Sequence, residues 1–218
     1  MDQAEINLET LAQLYPAVVA DILDELGYRQ QCLPDHIRPL TPNKTIAGRV
    51  LTARAETVST VPESPYKLEI EAVERLTEGE VLLVDCGDDR TCGFWGELLT
   101  TACLYKKSGG VVMTACTRDM WKIRELDFPV FGIGYHPADS KGRADIVELG
   151  NPIEIGGVKA SSGDYILGDE DGLVVIPQAV AAKTIQSALE KVSGENIVRD
   201  ELAKGMSMGD AFARYGIL

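Results

Sequence analysis

Apolar residues recur at helical spacing near the start of the chain, at Leu11, Leu14, Val18, Ile22 and Leu26. An apolar position every three or four residues lines one face of a helix. The stripe stops at Gly27 and contains Pro16, which suits a first helical position, so Leu8–Leu26 is predicted to form two helices. Pro34, Pro39 and Pro42 mark a loop. The alternating, β-rich run Ile46–Val58 predicts a strand, Pro62–Pro65 a loop and Leu68–Leu76 a helix. Val81–Val84, closed by Asp85, is an unbroken apolar run of the kind that forms a strand buried on both faces. Cys86–Gly93 reads as a polar, glycine-containing loop. Gly96–Lys107 reads as a helix with Glu97 in its first turn, Lys106 and Lys107 in its last, and Gly109-Gly110 as its stop. Val111–Cys116 is the next buried strand, Arg118–Leu126 a short helix and Val130–Gly134 a strand.

Beyond that point the texture changes. Ile146–Leu149, Ile153–Ile155, Val158–Ala160, Tyr165–Leu167 and Leu173–Ile176 are short β segments separated by Gly, Asn, Asp and Ser, which predicts a more antiparallel layer. Ala179–Leu202 is a long helix, or two broken near Gly194. The whole, residues 1–218, is expected to be one α/β domain with a parallel βαβ core and a β-rich second layer.

Charge and cysteine usage narrow the function classes. A net charge of −13 repels nucleic acid, whose affinity rests on Lys and Arg at phosphates. It does not exclude a small anionic substrate, because one arginine plus a metal inverts the field inside a pocket. No apolar stretch approaches the roughly 20 residues of a membrane span. Met1 is followed by Asp2 and Glu5 rather than a basic segment and an apolar run, so no secretory signal is expected. The five cysteines are odd in number and lack a Cys-x-x-Cys pair, which predicts buried, reduced thiols in a cytoplasmic protein. Zinc is not expected, since only His36 and His136 are available.

The candidate chemistry lies at two strand ends. Parallel strands joined by a crossover put their C-terminal ends on one sheet edge, where ligands bind. The Asp85–Glu97 segment and Arg118-Asp119 are therefore expected to converge. Arg118 would grip a carboxylate or enolate oxygen, Asp119 would hold a hard divalent cation, and the backbone amides of Gly96, Glu97 and Leu98 would bind a substrate carboxylate. The competing reading is a solvated ion pair with Asp119 capping a helix and Glu97 complementing a helix dipole. Asp85, Asp164, Asp169 and Asp171 read as turn residues, and His136 as a structural loop histidine.

Taken together, Gly79-Glu-Val-Leu-Leu-Val-Asp85, Trp95-Gly-Glu-Leu-Leu99, Gly109-Gly-Val-Val112 with Arg118-Asp119, Phe128-Pro-Val-Phe131, and Gly163-Asp164 with Asp169–Pro177 resemble the RraA-like family. That family contains regulators of ribonuclease E activity and metal-dependent 4-hydroxy-4-methyl-2-oxoglutarate/4-carboxy-4-hydroxy-2-oxoadipate aldolases; older labels call members dimethylmenaquinone methyltransferases. The resemblance runs from Ala20–Gly27 to Arg214–Leu218. It implies a swivelling β/β/α fold and a homotrimer, or a hexamer of two trimers, with sites between subunits. It also implies that Arg118 contacts the pyruvyl group, that Asp119 binds Mg2+ or Mn2+, that Glu97 lies in the metal's outer shell, and that Glu195, or Glu201, comes from the neighbouring subunit. The implied activity is cleavage of a short 2-oxo acid to release pyruvate, by retro-aldol reaction or by oxaloacetate decarboxylation. Both proceed through an enolate, and only the first needs a base for the C4 hydroxyl. One position departs from the aldolases: they carry an acid three residues after the aspartate, where this chain has Lys122. A non-catalytic regulator that docks a ribonuclease or helicase is the alternative, although such regulators tolerate loss of the aspartate retained here.

Overall fold

The computed structural model describes residues 6–217; Asp2 and Glu5 of the acidic start, and Leu218, lie outside the described residues. The chain begins with α1 (Leu8–Leu11) and α2 (Pro16–Glu25), separated at Pro16 as its fixed φ favours. Next come β1 (Arg38–Pro39), β2 (Ile46–Thr57), α3 (Lys67–Arg75), β3 (Glu80–Trp95), α4 (Glu97–Tyr105), β4 (Gly110–Thr117) and α5 (Met120–Leu126). Short strands follow: β5 (Val130–Gly132), β6 (Gly134–Tyr135), β7 (Ala144–Leu149), β8 (Ile153–Ile155), β9 (Val158–Ala160), β10 (Tyr165–Gly168) and β11 (Leu173–Ile176). Helices α6 (Gln178–Ala203) and α7 (Met208–Tyr215) close the described chain.

A nine-stranded mixed sheet runs β1-β5-β4-β3-β2-β10-β11, with β6 beside β4 and β7 beside β2. Its centre, β2-β3-β4-β5, is parallel. Both faces of that centre are covered, and the sequence shows why. Along β3, Leu82 and Val84 enter one apolar layer while Val81 and Leu83 enter the other. Val111, Met113 and Ala115 of β4 join the first layer, and Val112 and Cys116 the second. Successive strand residues point to opposite faces, so a run apolar at every position is buried on both. Helices α3, α4 and α5 contribute to the first layer, and the β8-β9 hairpin closes the second. A third cluster packs α1, α2 and α6 on β10 and β11.

One expectation changes, one open alternative is settled and one expectation is refined. Cys86–Gly93 is not a loop: β3 continues through it to Trp95, pairing with β4 across repeated register shifts. Helix α6 is unbroken at Gly194, where a Cβ would come within 2.7 Å of Ile217 Cδ1, so the glycine permits close approach rather than a break. The β-rich segments are antiparallel as expected, but β7 and β10 join the central sheet beside β2, β11 follows beside β10, and only the β8-β9 hairpin forms a separate sheet. All five cysteines are free, and four are buried; Cys32 is exposed. Among the described residues, no helix is long and apolar enough to cross a membrane.

Candidate active site

The two strand ends converge. Trp95, last in β3, pairs in register with Thr117, last in β4. The Arg118 N–H and the Thr117 hydroxyl both donate to the Trp95 carbonyl, at 2.9 and 2.8 Å. Trp95 itself is fully buried, and its Nε1–H donates to Thr100 Oγ1 at 2.9 Å, which fixes the first turn of α4 against the strand that feeds it. Gly96 and Glu97 on one chain segment, and Arg118 and Asp119 on the other, therefore face each other as expected.

The capping half of the competing reading does not hold for Asp119. It occupies the N-cap position of α5 in the left-handed conformation (φ 58°, ψ 27°) and makes no side-chain bond to that helix. A capping aspartate accepts from its own helix's second or third amide. Asp119 Oδ2 instead accepts from the Glu97 N–H at 3.3 Å and lies 3.7 Å from Arg118 Nε. Gly96 leaves room for this: a Cβ there would sit 2.9 Å from Asp119 Oδ2 and 3.4 Å from Arg118 Nε. Of the expected cradle of Gly96, Glu97 and Leu98 amides, one is taken by Asp119. Glu97's N–H is already engaged, which leaves the first-turn amides of Leu98 and Leu99, without intrahelical acceptors, to face an anion. The Glu97 carboxylate turns along its own helix and accepts from Thr101 Oγ1 at 3.1 Å.

Arg118 and Asp119 separate two open cavities. One, of about 370 Å³, is lined by Tyr66, Glu69, Gly96, Glu97, Leu98, Leu99, Asp139 and neighbours. The other, of about 300 Å³, is lined by Trp121, Tyr135, His136 and Pro137. In the second, His136 Nδ1 accepts from the Ala138 N–H at 3.1 Å, so the histidine is tied to its own turn.

Three residues of the larger cavity, Tyr66, Glu69 and Asp139, are not among the residues singled out from the sequence. Asp139 Oδ1 lies 3.4 Å from Arg118 Nη1, and its Oδ2 accepts from the Tyr66 hydroxyl at 2.6 Å. Burial raises the Asp139 carboxyl, but the Tyr66 hydroxyl, Arg118 and the Lys141 and Ser140 amides outweigh it and hold it below the usual carboxylate range. Burial, then the bond to Asp139, pushes the Tyr66 phenol up to about 12. Glu69 is buried on α3, and desolvation, followed by the charges of Asp145 and Asp139, pushes its carboxyl up to about 8 against the opposing pull of Arg118. The signal was periodicity: Glu69 shares the buried stripe of Ala72, Val73 and Leu76, while Ile70 of the same helix is half exposed. An acid on the apolar face of a helix is the anomaly that marks it.

The larger cavity sets a single cation, Arg118, among four carboxyl groups: Glu69, Glu97, Asp119 and Asp139. Such a lining repels a 2-oxo acid anion unless positive charge is added. The donors are hard oxygens, which suit Mg2+ or Mn2+, ions commonly held by one or two carboxylates with water and substrate supplying the rest. Among the described residues, no group of three or more His, Cys, Asp or Glu side chains is placed to hold a metal ion. Asp119 could hold a divalent ion only as a single ligand, with water and substrate supplying the rest.

Two sequence candidates lie elsewhere in the chain. Glu195, on α6, accepts from the Tyr15 hydroxyl and lines a separate surface cavity with Arg199. Glu201, further along α6, pairs with Lys204 at 2.9 Å. Lys122 lies outside both central cavities: its Nζ is 3.0 Å from Glu125 Oε2 and 5.7 Å from the Trp121 ring centroid. Asp164 and Asp169 accept backbone N–H groups in turns, as expected; Asp85 does not mark a strand end but lies within β3 opposite Arg54 of β2, and accepts from the Gly87 N–H at 3.0 Å and the Thr114 hydroxyl at 3.2 Å.

The chain and its fold have relatives among known proteins. The RraA-like family model, Aldolase/RraA, matches residues 17–175. A protein of Halalkalibacterium halodurans named "Putative 4-hydroxy-4-methyl-2-oxoglutarate aldolase" is 30% identical, over 88% of this chain and 86% of its own length. Protein DlpA of Legionella pneumophila is 28% identical over 95% of this chain, which spans only about a third (33%) of DlpA. The solved structure of Streptomyces coelicolor RraAS2, described as an unusual member of the RNase ES inhibitor RraA protein family, superposes with a TM-score of 0.80 at 25% identity, over 89% of this chain and 96% of that one.

Proposed function

The chain belongs to the RraA-like family, and from that premise we propose that it is a divalent-metal-dependent lyase that cleaves short 2-oxo acids and releases pyruvate. The observation that carries the reading is the Asp119 carboxylate, turned away from the helix it should cap and set beside Arg118 at the edge of an acid-rich cavity. In this reading Asp119 holds Mg2+ or Mn2+, Glu97 contacts it through water, and Glu195 approaches from a neighbouring subunit of a homotrimer or hexamer. When bound, the ion supplies Lewis-acid stabilisation of charge on the substrate's oxygens.

The residues of the chain do the rest. The Leu98 and Leu99 amides donate to the substrate carboxylate, at the positive end of the α4 dipole. Arg118 donates to the oxygen on which enolate charge develops, and Asp139 holds the guanidinium in place from the other side. Phe94 and Leu99 line the cavity with apolar surface that limits water around the reacting carbon.

The alternative, a non-catalytic regulator, draws on the printed description of the Streptomyces relative and on the net charge of −13, which would suit a basic partner. The test is pyruvate release from oxaloacetate and from 4-hydroxy-4-methyl-2-oxoglutarate, with Mg2+ or with chelator, by the parent and by Arg118→Ala. The lyase reading expects metal-dependent release that Arg118→Ala lowers by about 10²-fold or more. No release above the variant's rate on either substrate supports the regulator instead.

A further inference from the structure

We propose that Glu69 is the proton-transfer group of this cavity, taking the proton of the aldol hydroxyl and returning it to the enolate carbon. The inference rests on the lyase reading and supplies the base which that reading lacks. Glu69 is 5% exposed yet lines the same cavity as Arg118 and Asp119. Among the described residues, no hydrogen bond or ion pair to its carboxyl is found, whereas Asp119, Asp139 and Glu97 each have partners. A buried carboxyl without a partner destabilises the fold if it ionises, so a purely structural reason for it is lacking. The groups facing it are Tyr66 at the start of α3, the buried Cys86 thiol on β3, Asp139 in the loop before β7, Asp145 on β7, and Arg118 after β4. With burial, these carboxylates bring it to about 8, close to where an acid–base group exchanges protons most readily near neutral pH.

The step balances without any further reactant. Ionised Glu69 takes the proton from the C4 hydroxyl; the C4–O electrons form the new carbonyl. The C3–C4 bond breaks, and its electron pair becomes the enolate held at Arg118. Protonated Glu69 then delivers the same proton to C3, giving the methyl group of pyruvate. Oxaloacetate loses CO2 to give the same enolate and uses Glu69 only for the final protonation.

The experiment follows three rates with Mg2+ present, for the parent, Glu69→Gln and Glu69→Asp: retro-aldol cleavage, oxaloacetate decarboxylation, and exchange of pyruvate C3 hydrogens into D2O by NMR. Glu69→Gln is expected to lose about 10²–10⁴-fold in cleavage and exchange. Decarboxylation should fall by less than about tenfold, since solvent can protonate a free enolate, and the oxaloacetate KM should hold within about threefold. The rise of the parent's cleavage rate with pH should be absent in Glu69→Gln. Glu69→Asp should recover part of the exchange, and it serves as the test if Glu69→Gln does not fold. Exchange at the parent rate in Glu69→Gln, or in Glu69→Asp where that variant stands in, overturns the role of Glu69 alone. A parent that neither releases pyruvate nor exchanges its hydrogens overturns the lyase reading, and this assignment with it.

Discussion

Asp119 Oδ2 accepts a hydrogen bond from the Glu97 N–H at 3.3 Å, so the residue that by position should cap α5 is committed to the start of α4. The left-handed backbone of Asp119 departs from the extended conformation of a capping residue, which leaves the carboxylate directed at α4. Replacing it with asparagine keeps the shape and the tolerance for left-handed backbone but removes the charge. Asp119→Asn is expected to weaken Mn2+ binding by about tenfold or more, with thermal unfolding shifted by only a few degrees. Calorimetric titration with Mn2+ and a melting curve check both halves.

Gly96 sets the distance between the two segments. Its backbone is extended (φ −146°), so alanine is conformationally tolerated there, yet the added Cβ would sit 2.9 Å from Asp119 Oδ2. Gly96→Ala is expected to fold normally and to lose about 10–10²-fold in kcat, because the Arg118–Asp119 pair must move. A circular dichroism spectrum matching the parent's, beside that kinetic loss, is the predicted combination.

Lys122 stands where the aldolases carry an acid, but it lines neither central cavity and pairs with Glu125. Lys122→Ala is expected to change kcat/KM on oxaloacetate by less than about threefold, since an exposed pair of this kind contributes little. A tenfold loss would mean that Lys122 reaches a site completed by a neighbouring subunit.

Glu69 makes stability depend on pH in a direction opposite to most carboxylates. Its folded value, about 8, lies above the ordinary 4.5, so the fold binds the proton more tightly than the unfolded chain. The associated stability is fully present below about 4.5 and is lost as pH rises through about 8. Urea unfolding should therefore show the parent weakening between pH 5 and pH 9 by on the order of a few kcal/mol. Glu69→Gln, which cannot ionise, should flatten that slope. An identical slope in the two proteins would show that the carboxyl ionises freely in the folded state.

The convergence of Gly96-Glu97 with Arg118-Asp119 was legible because it follows from topology: two apolar runs, a helix between them, and parallel strand ends on one edge. The elements around it were legible for the same reason, since Val81–Val84 and Val111–Cys116 are apolar at every position. What stayed hidden has physical causes. Cys86–Gly93 is polar and glycine-bearing, but it pairs with β4 through register shifts that erase the two-residue period. Gly194 looks like a break, but it makes room for Ile217. Tyr66, Glu69 and Asp139 come together only through tertiary packing of α3 and the loop before β7. Glu69 alone left a trace, as a charge on an apolar helical stripe.

In the proposed lyase reaction Asp119 and Arg118 release pyruvate with the help of a divalent cation. Its most direct test is to titrate Mn2+ into chelator-stripped protein and follow the initial rate of pyruvate release from oxaloacetate, above the metal-only background, for the parent and Asp119→Asn. The account predicts a rate that rises from background and saturates with Mn2+ in the parent, and stays near background in Asp119→Asn. A parent rate independent of Mn2+, or equal saturation in both proteins, would contradict it.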